Sequence, residues 1–145
     1  PATRFVAGFL GSPQMNFIDT RLEAVDGVPT LILDDDRKLP LDPDRAANFA
    51  AWMGKAVTLG VRPEHMSRAS DGGARKAAEA PLKAYIDLVQ PTGTRIYAQF
   101  RLNGVETTVE LPSHTVEHPG TTIDLLVDMS RIILIDPQTE KTIPG

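Results

Sequence analysis

Short apolar segments that alternate with polar residues recur along this chain, separated by turn-forming pairs. In residues 57–62, for example, Val57, Leu59 and Val61 recur with the period of two that is expected of a half-buried strand. The pairs Asp26-Gly27 and Asn103-Gly104 each separate two such segments and are typical of hairpin turns. The pattern predicts strands at 15–25, 28–33, 38–41, 57–62, 80–89, 94–102, 105–111, 123–127 and 132–135.

This number and spacing of strands predict a mainly β fold, a small OB-like barrel with Greek-key connections. One internal helix is predicted over residues 42–53, where Asp42 can be the N-cap and Pro43 occupies the first helical position. Its buried stripe would consist of Ala46, Phe49, Ala50 and Met53.

A short N-terminal helix is predicted over residues 3–10, with Phe5 and Phe9 on one apolar face. Such a face would be expected to pack on another part of a protein. The chain begins at Pro1 without a methionine, so we expect that it is part of a longer protein.

The composition excludes several classes of function. The 145 residues suffice for one domain with a core, and the absence of cysteine excludes a disulfide scaffold and a cysteine zinc site. The net charge of −4 provides no general attraction for nucleic acid or an anionic membrane. No apolar run approaches the roughly 20 residues that a membrane-spanning helix needs.

The end of the segment at 57–62 is the first candidate site. Pro63 has no N–H for a strand ladder and stops the strand, so that Arg62, Glu64 and His65 come together at a turn. Glu64 and His65 could act as an acid–base pair, but no serine or cysteine nucleophile stands beside them. We favour a structural pair that orders the turn or faces a neighbouring domain.

Other motifs fail the requirements of their chemistry. Around Gly54-Lys55, a phosphate-binding loop would need glycine at Phe49 and a hydroxyl at Ala56, so nucleotide hydrolysis by this chain alone is not expected. Residues 114–118 match the zinc pattern His-x-x-Glu-His, but its β-branched residues and the following Pro119 oppose the required helix. The three aspartates at 34–36 predict a solvated turn rather than a metal site.

Arg95, Tyr97 and Arg101 could share one face of a strand, as in proteins that bind single-stranded nucleic acid. The acidic balance and the 6% aromatic content oppose this hypothesis. We expect Tyr97 to be a barrel residue and no nucleic-acid partner.

Several stretches resemble the ATP-binding subunits of ABC sugar importers, of the maltose and glycerol-3-phosphate type. Residues 59–65, Leu-Gly-Val-Arg-Pro-Glu-His, are similar to the family's LGxRPEH strand. Residues 1–17 resemble the segment where the ATPase domain ends, and residues 89–102, with Gly93, resemble a family strand pair in which leucine is usual at Thr92. Residues 119–143 are similar to the segment that closes the family's sequences. Ile135 stands where phenylalanine is usual in the family, and Glu140 stands where glycine is usual.

The resemblance implies the C-terminal regulatory portion of such a subunit, with residues 1–14 as the tail of the ATPase domain and residues 15–145 as an OB/TOBE-type regulatory domain. The implied partners are that ATPase domain, a second copy of the subunit in a homodimer, transmembrane permease subunits and a cytoplasmic regulatory protein. ATP and magnesium would bind in the ATPase domain, and none of the residues here would be catalytic or hold a metal or cofactor. The parent would lie in the cytoplasm, peripheral to the inner face of the plasma membrane. The candidate structural or interface residues are Phe5, Phe9, Arg62, Glu64, His65 and Gly93.

A second hypothesis is a module that binds a small oxyanion or a sugar phosphate, as related TOBE domains of oxyanion importers do. Ser12, Ser113 and Thr115 are its nominal ligand residues. An independent metallohydrolase is a third hypothesis, which would require bound zinc.

Overall fold

A computed structural model describes residues 14–34, 36–69, 76–113 and 118–145. Within these ranges the chain forms ten strands and two short 3-10 helices. The strands are β1 Asn16–Val25, β2 Val28–Asp34, β3 Arg37–Pro40, β4 Ala56–Val61, β5 Met66–Arg68, β6 Glu79–Pro91, β7 Arg95–Leu102, β8 Val105–Pro112, β9 Thr122–Asp128 and β10 Ile133–Ile135. The 3-10 helices are Ala46–Trp52 and Pro63–His65.

The strands form two five-stranded sheets, in the orders β10-β4-β1-β2-β3 and β5-β9-β6-β7-β8. Every pairing between neighbouring strands is antiparallel. Strand β5 also approaches β8, so the second sheet curls until its edges come near each other. Strand β10 follows the last strand of the second sheet and completes the first sheet beside β4. The predicted mainly β, OB/TOBE-type fold is confirmed.

The turn pairs have the backbone that their residue types favour. Asp26 and Gly27 have φ values of 51° and 77°, and Asn103 and Gly104 have 50° and 75°. Two successive positive φ values define the type I′ turn, whose twist matches that of the flanking strands. Both predicted hairpins are therefore confirmed, as β1–β2 and β7–β8.

Strand β4 lies between β1 and β10, and its residues 57–61 are all buried. Side chains on both of its faces are covered, which explains why Thr58 is buried along with its apolar neighbours. A Cβ atom at Gly60 would lie 2.7 Å from Cγ1 of Ile133 and 2.9 Å from Sδ of Met15. Glycine is required here by the close packing of β10 rather than by its φ angle.

Asn16 joins the two sheets. Its side-chain nitrogen donates hydrogen bonds to the carbonyl oxygens of Val61, at 3.1 Å, and Thr108, at 2.9 Å. Its side-chain oxygen accepts a hydrogen bond of 2.9 Å from the backbone N–H of Thr108. The amide thus pairs with β8 as a backbone peptide would, and satisfies polar groups at the edge of that strand.

Arg37 makes a second junction, at the other end of the sheets. The strands β6 and β7 are paired from Ile86 and Phe100 toward their hairpin, and they are not paired beyond that point. The guanidinium of Arg37 donates to the carbonyls of Lys83, at 3.1 Å, and Arg101, at 2.8 Å. It therefore inserts between the backbones of the two strands where their own ladder ends.

Asp34 holds this guanidinium in place and corrects a prediction. The carboxylate of Asp34 accepts hydrogen bonds from Arg37 and from the backbone N–H of Asn103. The hydrogen bond from Arg37 is the main reason that the pKa of Asp34 lies below its usual value, against the opposing effect of partial burial. Asp34 and Arg37 therefore form an ion pair within the first sheet that is hydrogen-bonded to the second sheet, and the prediction of a solvated turn was wrong for Asp34.

Two further predictions need correction. The helix predicted over 42–53 is a 3-10 helix of seven residues, Ala46–Trp52. The residues before it form a turn, in which Asp42 accepts hydrogen bonds from the N–H of Asp44 through its side chain and from the N–H groups of Arg45 and Ala46 through its carbonyl. Phe49 is buried as predicted, but Ala50 is exposed.

Strand β5, Met66–Arg68, is not among the predicted strands and pairs with β9. The predicted N-terminal helix with Phe5 and Phe9, and residues 114–117 of the zinc-like motif, lie outside the described residues.

Candidate functional site

The turn after β4 is held by its own side chains. Arg62 is extended, with φ −80° and ψ 144°, and Pro63–His65 then forms a 3-10 turn closed by a hydrogen bond of 3.0 Å from the N–H of His65 to the carbonyl of Arg62. The Nε of Arg62 donates to Oε2 of Glu64 over 2.8 Å, and Pro63 is buried beneath them. The sequence therefore positions Arg62 and Glu64 as an ion pair rather than as free catalytic groups.

The electrostatics of Glu64 support this interpretation. Partial burial acts to raise the pKa of Glu64, but the hydrogen bond from Arg62 and the nearby charges of Arg62 and His65 outweigh it. The pKa therefore lies below its usual value, and Glu64 is ionised at neutral pH. A general acid near neutrality needs a raised pKa, so Glu64 is unsuited to that role.

His65 meets a residue that lies 66 positions away in the chain. Its Nε2 is 3.5 Å from Nη1 of Arg131, and Arg131 forms an ion pair with Asp128 over 3.5 Å. Nδ1 of His65 is buried and has no hydrogen-bond partner among the described residues. The structure thus brings together residues 62–65 (the RPEH turn) and the turn between β9 and β10. Neither stretch of sequence predicts this contact by itself.

Tyr97 and Arg95 both face Glu110, on the neighbouring strand β8. The hydroxyl of Tyr97 donates to Oε1 of Glu110 over 3.1 Å, and Nη2 of Arg95 lies 3.4 Å from Oε2. Desolvation and the hydrogen bond to Glu110 raise the pKa of Tyr97. A phosphate at this face would have to compete with Glu110, which opposes the hypothesis of nucleic-acid binding.

Gly93 lies at the tip of the β6–β7 hairpin, with a φ of 81°. The backbone N–H of Thr92 donates to the carbonyl of Arg95 over 2.8 Å and closes the turn. A positive φ at the first loop residue alone is the signature of a type II′ turn, where glycine is preferred. A Cβ at this position would meet no atom within 4 Å, so the tip is open to solvent.

The Arg62–Glu64 pair and His65 have no hydroxyl nucleophile hydrogen-bonded to them in the described ranges. Across residues 14–34, 36–69, 76–113 and 118–145, no group of three or more potential metal ligands comes together. In the same part of the chain, no helix has the length and apolar character to cross a membrane. The arrangement supports structural order and surface contacts.

Two protein-family models match consecutive, overlapping parts of the chain. The MalK OB fold domain matches residues 11–66, and the TOBE domain matches residues 59–135. The first covers β1–β4 and the RPEH turn, whereas the second extends from β4 to β10. The turn that carries Arg62, Glu64 and His65 thus lies in the segment common to both.

The relatives agree with these matches. The chain is 34% identical, over 99% of its length, to the sn-glycerol-3-phosphate import ATP-binding protein UgpC of Ruegeria sp. (strain TM1040), and covers 36% of that protein. It is 31% identical, over 99% of its length, to the trehalose/maltose import ATP-binding protein MalK of Thermococcus litoralis, and covers 38% of it. The chain thus spans little more than a third of the length of these curated relatives.

Among solved structures, the fold is similar to that of the cytoplasmic molybdate-binding protein ModG, with a TM-score of 0.64 and 19% identity. That likeness covers 82% of this chain and 94% of ModG, and it concerns the fold alone. The TOBE domain model covers more than half of the chain and the MalK OB fold model precedes it, so the chain belongs to the TOBE family and combines a MalK-type OB fold with a TOBE domain.

Proposed function

We propose that this chain is the C-terminal regulatory and dimerisation portion of the ATP-binding subunit of an ABC importer for sugars or related solutes. The observation that carries the proposal is the match over nearly the whole chain to import ATP-binding proteins, at 34% and 31% identity. The matched portion is 36% and 38% of these two relatives, and in this chain it carries a MalK OB fold domain followed by a TOBE domain.

The proposed parent protein binds ATP and magnesium in a preceding ATPase domain and couples hydrolysis to solute import. Residues 1–14 would be the tail of that domain, and residues 15–145 the regulatory domain. The partners would be the ATPase domain, a second copy of the subunit, the transmembrane permease subunits and a cytoplasmic regulatory protein. The complex would lie on the inner face of the plasma membrane.

The RPEH turn is our proposed contact with a neighbouring domain. Its support is geometric: Pro63 is buried, Arg62 and Glu64 are joined over 2.8 Å, and the side chains of these two residues are 34% and 33% exposed. A pre-ordered, partly exposed ion pair loses little conformational entropy when a partner binds it. The exposed hairpin tip at Gly93 is a second proposed contact, since surface loops on a rigid sheet commonly carry such roles.

The small-anion hypothesis has weaker support. The molybdate-binding protein ModG shares the fold with this chain at 19% identity, which is too distant to transfer a ligand. Of the three nominal ligand residues, only Ser113 lies in the described ranges, where it is exposed at the end of β8.

The proposal is tested with the full-length protein that contains this chain, reconstituted with its permease subunits in proteoliposomes. We expect ATP hydrolysis that a solute-loaded binding protein stimulates, and uptake of a sugar or glycerol phosphate. Absence of both activities in a folded, ATP-binding preparation would refute the import function.

The contact role of the turn has its own test in the same system. Glu64→Gln should lower solute-stimulated hydrolysis severalfold, because the charge that orders Arg62 is lost, whereas ATP binding is retained. Glu23→Gln is the matched control, since Glu23 is exposed and lies 4.0 Å from Arg21. Equal activity of the two variants would refute the contact role and leave the import function standing.

A further inference from the structure

A groove on the surface lies between the edge strand β3 of one sheet and the outer face of β6 and β9 in the other. Its volume is about 810 Å³, within the range of small-molecule sites. It opens beside the Arg37 junction, where the strands β6 and β7 are no longer paired with each other. None of the residues of the RPEH turn lines this groove.

An exposed aromatic ring lies in this groove. Tyr85 projects outward from β6, and the residue is 57% exposed, more than the other large apolar side chains of the described residues that remain exposed. Its cross-strand partner is Thr122 of β9, which also lines the groove. A flat aromatic face beside a hydroxyl offers a stacking surface with a polar edge.

The charges in the groove are balanced. Its acidic residues are Asp34, Asp36, Asp87 and Asp124, and its basic residues are Arg37, Lys38, Lys83 and Arg101. Two pairs are neutralised internally, because Asp34 binds Arg37 and Asp124 lies 3.0 Å from Lys83. A bound anion would lie close to carboxylates, and a bound cation would lie close to ammonium or guanidinium groups. Repulsion between like charges would therefore oppose the binding of either ion.

The remaining groups suit a neutral, hydroxyl-rich molecule. Asp36 and Asp87 line the groove with hydrogen-bond acceptors, and Lys38 and Arg101 line it with donors, although Arg101 also lies 3.9 Å from the carboxylate of Glu106. A carbohydrate has hydroxyls that both donate and accept, together with an apolar C–H face that can cover an aromatic ring. We propose that this groove binds a neutral carbohydrate, with Tyr85 as the platform under its apolar face.

The test uses two-dimensional NMR of the 145-residue chain, titrated separately with maltose, trehalose, sn-glycerol 3-phosphate and molybdate. A neutral disaccharide should produce saturable shifts at Tyr85, Thr122 and Arg101, with an affinity near millimolar. Tyr85→Ala should weaken binding about tenfold, as expected for loss of a stacking contact. Tyr85→Leu retains bulk on the strand and should weaken binding similarly, because it has no flat ring.

Leu88→Ala is the matched control: Leu88 is an exposed apolar residue on the same strand that does not line the groove. It should bind as the wild type does. The proposal is overturned if neither sugar gives saturable shifts up to about 20 mM, if both Tyr85 variants bind as well as the Leu88 variant, or if only the anions bind.

Discussion

Replacing Arg37 by methionine is the sharpest test of how the two sheets are held together. The side chain is 22% exposed and its partner Asp34 is 26% exposed, so both are mostly withdrawn from water. Arg37→Met retains the aliphatic stem but leaves the Asp34 carboxylate and the carbonyls of Lys83 and Arg101 without their donor.

Removing one partner of a buried ion pair costs about 3–5 kcal/mol, and the partial exposure here reduces that value because water can reach the carboxylate. We expect the free energy of unfolding to fall by about 2–4 kcal/mol. For a chain of this size, that corresponds to a decrease in Tm of roughly 5–12 °C. Urea unfolding followed by circular dichroism measures the difference.

Arg21→Met is the control, because the Arg21 side chain is 56% exposed and its ion pair with Glu23 is 4.0 Å long. It should cost less than about 1 kcal/mol. In a double-mutant cycle, Arg37→Met and Asp34→Asn should show a coupling of about 1–3 kcal/mol. Equal destabilisation by the Arg37 and Arg21 variants, or a coupling near zero, would refute the inter-sheet role of this pair.

Further predictions concern acid stability and two backbone positions. Arg37 lowers the pKa of Asp34 in the folded state. The ionised carboxylate therefore stabilises the fold above the unfolded-state pKa of about 4, and this stabilisation is lost as the pH falls through the folded-state pKa. In Asp34→Asn, the free energy of unfolding should depend less on pH below about pH 5. Gly60→Ala should destabilise by about 1–3 kcal/mol in urea, because its Cβ would lie 2.7 Å from Ile133. Glu140→Gly should stabilise by about 0.5–1 kcal/mol in thermal unfolding, because residue 140 has a φ of 59° and glycine adopts that conformation without strain.

Each of these has a contrary outcome. An acid-unfolding profile unchanged by Asp34→Asn would show that the carboxylate is not selectively stabilised in the folded state. A neutral Gly60→Ala would mean that β10 can move away from β4 without loss of packing. A Glu140→Gly variant less stable than the wild type would show that the Glu140 side chain contributes more than its backbone strain costs.

The strands and hairpins could be predicted because their signals are local. Alternation with a period of two and the Asp26-Gly27 and Asn103-Gly104 pairs depend on residues close together in the chain, and the structure has strands and type I′ turns at these places. The backbone at Glu140 also agrees with a local signal. Glycine is usual at this position in the family that the sequence resembles, and the structure has a positive φ there.

The features that the sequence did not predict depend on contacts between distant segments. Arg37 contacts residues 46 and 64 positions away, and its role follows from the divergence of β6 and β7, which no local pattern encodes. The same is true of Asp34, which has the sequence context of a solvated turn but lies at the seam between two sheets. His65 likewise meets Arg131 because β5, which follows His65, pairs with the end of β9, with Met66 opposite Val127.

The 3-10 helix shows how tertiary contacts override a local signal. A proline after an N-cap residue favours an α-helix, but Arg45 donates to the carbonyls of Met129 and Ile132, at 2.9 Å each. These bonds anchor the start of the segment to the turn between β9 and β10. The 3-10 helix then runs over the seven residues Ala46–Trp52, directly after this anchor.

The gene sequence upstream of the codon for Pro1 tests the central claim most directly, namely that this chain is the C-terminal portion of an import ATP-binding subunit. The account predicts an ATPase domain there, with a phosphate-binding loop of the form Gly, four residues, Gly-Lys-Ser/Thr. Because this chain covers 36% and 38% of the two relatives compared, the upstream part should be the larger one. An upstream sequence without such a loop, or a start codon directly before Pro1, would contradict the account.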